Sequence, residues 1–304
     1  MRNNNLPKGI FFLILSALSF ATMSLFVRLA GDLPSIQKSL FRNLVALVFA
    51  FCVIMKEGGN FSFDKKNLKF LLIRSLFGTF GIFFNFYAIE HLMLADASML
   101  AKLSPFFVTI FSYFILKEKI KPWQGISIAI AFVGSIFIVN PEMIVSFFTG
   151  VAHQSSLGNV ASIAAILGAL SAGVAYTMIR LLSIRGERGS FIVFFFSAFS
   201  TLVCLPFVLF DYAPMSMEQV FLLLLAGLFA SFGQFSVTAA YANAPAKDIS
   251  IYDYTQIIFS AVYGYFVFQQ VPSPYSIIGY VIIIAVAFYI FFKGKQGAHK
   301  EKNE

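Results

Sequence analysis

Two ionisable residues stand where ionisable residues are costly. Lys102 lies inside the apolar stretch Ala95–Pro122, and Asp253 inside the apolar stretch Ala246–Pro274. A charge in a membrane-crossing segment is kept for a task and faces protein or water rather than lipid. Each sits about seven residues into its segment, roughly 10 Å along a helix, too deep for easy snorkelling. A lysine there can meet a carboxylate or a phosphate. A carboxylate there can hold an amine, carry a proton or neutralise Lys102. One cation and one anion facing each other would suit a zwitterion.

Other groups accompany them. Tyr252, Tyr254 and Gln256 flank Asp253, while Asn85 and Gln234 are mid-segment amides that either bind a ligand or bridge helices. An aromatic cage would need Phe84, Tyr87, Tyr176, Tyr252 or Tyr254 in the cavity, which helical spacing allows. Glu90 and His91 close the third segment, as an interfacial charge pair or a proton entry point. Glu118 sits in the knot Lys117-Glu118-Lys119 as a cap, gate or coupling residue. Arg42 is expected to hold segment ends together through backbone carbonyls or Glu90, acting as a gating rather than a ligand-binding group. The three histidines, His91, His153 and His299, share no ligand spacing, and Cys52 and Cys204 read as small buried hydrophobes. No metal and no cofactor is expected.

The elements that position these groups follow from composition. The chain is 59% hydrophobic and 12% charged, with a mean hydropathy of +0.83. Soluble domains carry about 25% charge, so the solvent here is a lipid bilayer. The net charge of +8 does not point to nucleic acid, because the basic residues lie in short loops and in the C-terminal tail, with no basic face. Ten apolar segments are predicted, at 9–30, 36–55, 69–90, 95–116, 122–139, 158–183, 190–210, 217–241, 246–268 and 273–292. Turn formers separate them: Gly31-Asp32, Gly58-Gly59-Asn60, Asn140-Pro141, Gly186, Pro214 and Pro272. With the N-terminus in the cytoplasm, most Lys and Arg fall on the inner side, among them Lys65, Lys66, Lys69, Arg74 and Lys293. That bias predicts both termini in the cytoplasm and an inner (plasma) membrane location.

The chain also matches itself at an offset of 152: Ala17, Leu18, Ser19, Arg28 and Leu29 lie over Ala169, Leu170, Ser171, Arg180 and Leu181. Cys52 falls on Cys204, and Phe80, Gly81 and Phe83 on Phe232, Gly233 and Phe235. Five segments per copy is an odd number, so the second copy enters the membrane upside down. The fold class expected is an all-α membrane protein of ten transmembrane helices in two inverted five-helix repeats. The repeats span 8–139 and 158–292, and a cytoplasmic basic tail covers 293–304.

Two five-segment copies, Pro105 and Lys117-Glu118-Lys119 in the fourth segment, Arg42-Asn43 in the second and Ala95-Asp96-Ala97-Ser98 resemble the EamA family. This is the ten-helix branch of the drug/metabolite transporter superfamily, and the likeness covers about residues 8–292. The second copy departs from the family pattern, with Gln269-Gln270 in place of an acidic residue. The resemblance implies ten helices around a cavity lined mainly by spans one, three, four, six, eight and nine. It also implies carriage of small organic metabolites.

The function expected is therefore secondary transport by alternating access. The cargo would be a small polar or zwitterionic metabolite, such as an amino acid or a nucleoside-like compound. No P-loop motif is present, so a gradient, with protons as a candidate ion, is expected to drive it. The partners expected are that small molecule and the lipid bilayer, without nucleic acid, in a monomer or homodimer. The rival reading is a membrane-embedded enzyme with an interfacial site of Glu90, His91 and Asp96, but no nucleophile or metal motif joins them. A merely structural membrane protein leaves charges at matching depths unexplained.

Overall fold

A computed structural model describes residues 5–117, 122–139, 157–244 and 249–300. Among these, all regular structure is helical. The first half contains α1 (Leu6–Leu29), α2 (Ser35–Lys56), α3 (Leu68–His91), α4 (Leu94–Ala101), α5 (Ser104–Ile115) and α6 (Pro122–Val139). The second contains α7 (Leu157–Ile184), α8 (Gly189–Phe210), α9 (Met217–Asn243), a 3₁₀ turn (Ser250–Tyr254), α10 (Thr255–Phe268) and α11 (Pro274–Lys300). The mid-chain connection at 140–156 lies outside the described residues.

Local chemistry accounts for several boundaries. Asn5 caps α1 by accepting from Lys8 N–H at 3.1 Å, and Pro7 opens that helix. Ser216 and Gln219 form a reciprocal capping box at the start of α9. Gly31 adopts φ +72°, the left-handed turn that ends the first span.

Seven helical units among the described residues are long and apolar enough to cross a membrane. They are α1, α2, α3, the α4–α5 unit, α7, α8 and α9; α6 and α11 hold shorter apolar stretches. Large apolar side chains face outwards, with Phe210 93% and Leu209 74% exposed. Water would not tolerate such a continuous apolar coat, so the chain is a multi-pass membrane protein.

The helices of the two halves pair with one another. Helix α1 packs on α9 and α3 on α7, which exchanges equivalent partners between the halves. Helix α2 packs on α8, α6 on α11, and α4 on α10. One hydrogen bond is made twice at the same spacing. Arg28 donates to the Ile89 carbonyl at 3.3 Å, and Arg180 to the Tyr241 carbonyl at 3.1 Å, each 61 positions on. Arg28 also donates to the Leu92 carbonyl at 2.7 Å. These arginines tie the ends of neighbouring spans together rather than reaching for the surface.

The stretch Ala95–Pro122, expected as one helix, is two. It breaks at Lys102-Leu103, between α4 and α5. Pro105 is the cause: it has no N–H to give the Ala101 carbonyl, and its ring would collide with that carbonyl in a continuous helix. The second half breaks at the matching place, where the Ser250–Tyr254 3₁₀ turn runs into α10. The two broken spans also end alike. Lys117 and Gln269, 152 positions apart, both take the left-handed conformation, at φ +57° and +53°.

Candidate functional site

The two helix breaks meet. Lys102 Nζ donates to Asp253 Oδ2 at 2.7 Å and to Gln256 Oε1 at 2.7 Å. The Lys102 carbonyl, freed by the break, accepts from Tyr254 Oη at 3.0 Å. One turn away, Ser98 Oγ donates to Ser260 Oγ at 2.7 Å. Lys102 is 4% and Asp253 7% exposed. Of the roles open to Asp253, neutralising Lys102 is the one its geometry displays. Two charges so buried survive only by pairing with good geometry and further hydrogen bonds.

This cluster forms part of the wall of a cavity of about 120 Å³. That volume is well below the roughly 300 Å³ of a drug-sized pocket. Lys102, Asp253, Gln256, Asn85, Gln234 and Arg42 all line it. The wall is broader than the family resemblance implied. Spans two and seven also contribute, through Arg42 on α2 and Phe196 on α8. Close approach of α3 to α7 narrows one side: a side chain on Gly168 would press on Phe84 Cβ at 3.3 Å and Asn85 N at 3.4 Å.

The structure differs from one expectation about an arginine and adds a role for another. Arg42 does not reach Glu90 or a span-end carbonyl; its Nη1 donates to Asn43 Oδ1 at 2.8 Å, and it faces the cavity. Glu90 instead pairs with buried Lys38 and accepts from Ser35 Oγ at 3.3 Å. Arg74, counted above among inner-side cations, is 2% exposed and lines the cavity. Its guanidinium carbon lies 3.6 Å from the centroid of Phe196, and that of Arg42 5.8 Å from the same ring. Sequence reasoning missed Arg74 as a site residue. Its only signal was an arginine near the start of the apolar segment 69–90.

The remaining candidates lie elsewhere. Tyr87 stacks on His91 with ring centroids 4.2 Å apart, and its carbonyl lies 2.8 Å from His91 Nδ1, away from the cavity wall. Tyr252 packs in the hydrophobic core beside the Asp253 turn. Tyr254 stands behind Lys102 and supports its backbone. Asp96, of the rival interfacial site, accepts from Tyr280 Oη at 2.6 Å. Glu118 lies outside the described residues. Its sequence neighbour in the repeat, Gln270, accepts from Leu94 N–H at 3.0 Å and so caps the first turn of α4.

Comparison with known proteins agrees with this architecture. The EamA-like transporter family model matches residues 7–140 and 159–292. The chain is 30% identical over 294 residues to the pseudopaline exporter CntI of Pseudomonas aeruginosa, covering 96% of this chain and 98% of that one. It is 26% identical to human solute carrier family 35 member G1, over 91% of this chain and 77% of that one. It is 24% identical to the riboflavin transporter of Vibrio cholerae, with 97% of each covered. A solved crystal structure superposes with a TM-score of 0.65 over 92% of this chain and 94% of its own, at 17% identity, and shares the fold.

Proposed function

The chain belongs to the EamA-like transporter family, and on that premise we propose that it is a secondary transporter working by alternating access. It is a membrane transporter rather than an enzyme. In the proposal, ten spans form two inverted repeats, 8–139 and 158–292, that rock around the cavity between them. The cargo is a small polar organic metabolite. The membrane is the inner (plasma) membrane, with both termini and the 293–304 tail in the cytoplasm. Protons are the candidate coupling ion.

One observation carries the reading: Lys102 and Asp253, at matching breaks of two spans, close on each other at 2.7 Å in the cavity wall. Broken helices at mid-membrane are where secondary carriers place their binding groups. In the proposal, the ion pair joining the halves is the two-state element, and opening it exposes both charges to the cavity. A closed pair and a cavity of about 120 Å³ describe one end of such a cycle.

The test works on a cargo of unknown identity. Proteoliposomes holding the protein are loaded with a cell metabolite extract, and efflux is followed by mass spectrometry. The expected result is selective loss of one or a few small polar compounds, abolished by Lys102→Met and by Asp253→Asn. Undiminished efflux with both variants would remove the ion pair from the mechanism. No selective efflux at all would remove the carrier reading.

A further inference from the structure

We infer that Arg42 and Arg74, set against Phe196, form an anion subsite in the cavity, and that its ligand is a small organic anion bearing carboxylate groups. The inference rests on the transporter reading only in calling that ligand the cargo; the subsite itself stands on geometry.

The cavity contains charge that its own side chains leave uncompensated. Arg42 and Arg74 are 4% and 2% exposed. Arg42 Nε, Arg74 Nε and Arg74 Nη1 are buried without a hydrogen-bond acceptor. The ion pairs formed among the described residues are Lys38–Glu90 and Lys102–Asp253, so neither arginine has a carboxylate within bonding distance there. Asp253, the acid of the cavity wall, is already taken by Lys102. What remains is neutral: the Asn43 oxygen, the Tyr176 hydroxyl of the same cavity, and the negative face of Phe196, which attracts a guanidinium but does not neutralise it. An arginine stays protonated under these conditions, so the cavity holds two fixed cations awaiting a counter-charge. A buried unpaired ion is costly, and the cost is relieved when an anion enters.

Three further features point to a ligand rather than to scaffold. First, the scaffold arginines repeat, as Arg28 and Arg180, whereas the positions matching Arg42 and Arg74 are Phe194 and Ala226. Second, room has been left for the guanidinium. A Cβ on Gly78 would stand 2.5 Å from Arg74 Nη1 and 2.8 Å from the Phe196 ring. Third, part of the lining is apolar, through Phe20, Ile82 and Phe86. Two planar forks recognise carboxylates through paired N–H donors, and apolar walls cover a carbon skeleton. Bare phosphate would leave those walls unused. A zwitterion would have to open Lys102–Asp253 to seat its amine, while a carboxylate needs no such exchange.

The test is calorimetric titration of the purified full-length protein with succinate, citrate, succinamide, leucine and inorganic phosphate. Succinate or citrate is expected to bind at least about tenfold more tightly than the neutral isostere succinamide, leucine or phosphate. Arg42→Gln and Arg74→Gln are each expected to weaken that binding at least about tenfold, with Arg→Lys variants between. If a Gln variant fails to fold, the Lys variant, which keeps the charge but not the planar fork, decides the assignment: carboxylate binding weakened in Arg42→Lys and Arg74→Lys supports it, and full binding by both overturns it. Equal binding of succinamide or leucine, equal binding of phosphate, absence of carboxylate binding, or full binding by both Gln variants would each overturn the inference. Proteoliposome flux separates the two readings. Carboxylates that bind but are not moved would sink the carrier and leave the subsite. Neutral metabolites moved undiminished by both Gln variants would sink the subsite and leave the carrier.

Discussion

The phenol of Tyr254 donates to the backbone carbonyl of Lys102 at 3.0 Å. The carbonyl is free because Pro105 interrupts the helix just beyond it, and the tyrosine comes from the turn that also presents Asp253. Backbone and side chain of Lys102 are thus both held by the second half of the chain, one through Tyr254 and the other through Asp253 and Gln256. The break is stabilised by its partner break.

Tyr254→Phe removes one buried hydrogen bond and leaves the ring in place. The expected cost is about 1 kcal/mol, rising to about 3 kcal/mol if the Lys102 carbonyl finds no water. Thermal unfolding in detergent measures it. Tyr87→Phe, whose hydroxyl has no such task in the cavity, should fall within about 0.5 kcal/mol of wild type. Equal effects of the two would show that the Lys102 carbonyl does not depend on Tyr254.

Lys102→Met strands Asp253, and Asp253→Leu strands Lys102. Each single change should destabilise by about 3–5 kcal/mol, because a buried charge loses its partner. The double variant should recover most of that loss, as apolar replacements of a buried pair commonly do, while transport stays absent. A double-mutant cycle read by unfolding provides the coupling energy. Additive losses would mean the two residues do not interact as described.

Glycine positions offer a graded test of helix contact. A Cβ on Gly173 would stand 2.5 Å from Phe107 Cβ and 3.2 Å from the backbone of Phe107 and Val108. Neither neighbour can swing aside, so Gly173→Ala should cost about 1–3 kcal/mol by forcing α7 away from α5. Gly125 on α6 has nothing within 4 Å of its added Cβ. Gly125→Ala should be neutral or stabilise by up to about 1 kcal/mol, since alanine is the better helix former. Unfolding midpoints of the two variants settle the contrast.

Arg28 binds two carbonyls and lies 5.1 Å from the Phe268 ring, whereas Arg180 binds one carbonyl. Arg28→Met is therefore expected to destabilise more than Arg180→Met, by about 1–2 kcal/mol at one extra charged hydrogen bond. Both should bind cavity ligands normally once folded, because neither lines the cavity. A binding defect in either would mean the span ends control the cavity.

Much of this was readable in one dimension. Hydropathy marks the apolar segments, because a bilayer demands runs of about 20 apolar residues whatever the packing. The offset of 152 exposed the repeat, and it placed Lys102 within one position of Asp253 before any contact was known. Pro105 stood in the sequence as a helix breaker, yet its effect was missed, since prolines in membrane helices are often absorbed as kinks. What packing alone decided was partnership. Arg74 reads in sequence like any basic residue near a cytoplasmic end; only α8, laying Phe196 against it over the gap at Gly78, makes it a buried wall of the cavity. Glu90 could have taken Arg42 or Lys38, and the approach of α2 to α3 chose Lys38. Chain order determines which residues are too polar for lipid. Which of them neutralise one another, and which are left with charge to spare, depends on distances between helices that no linear pattern encodes.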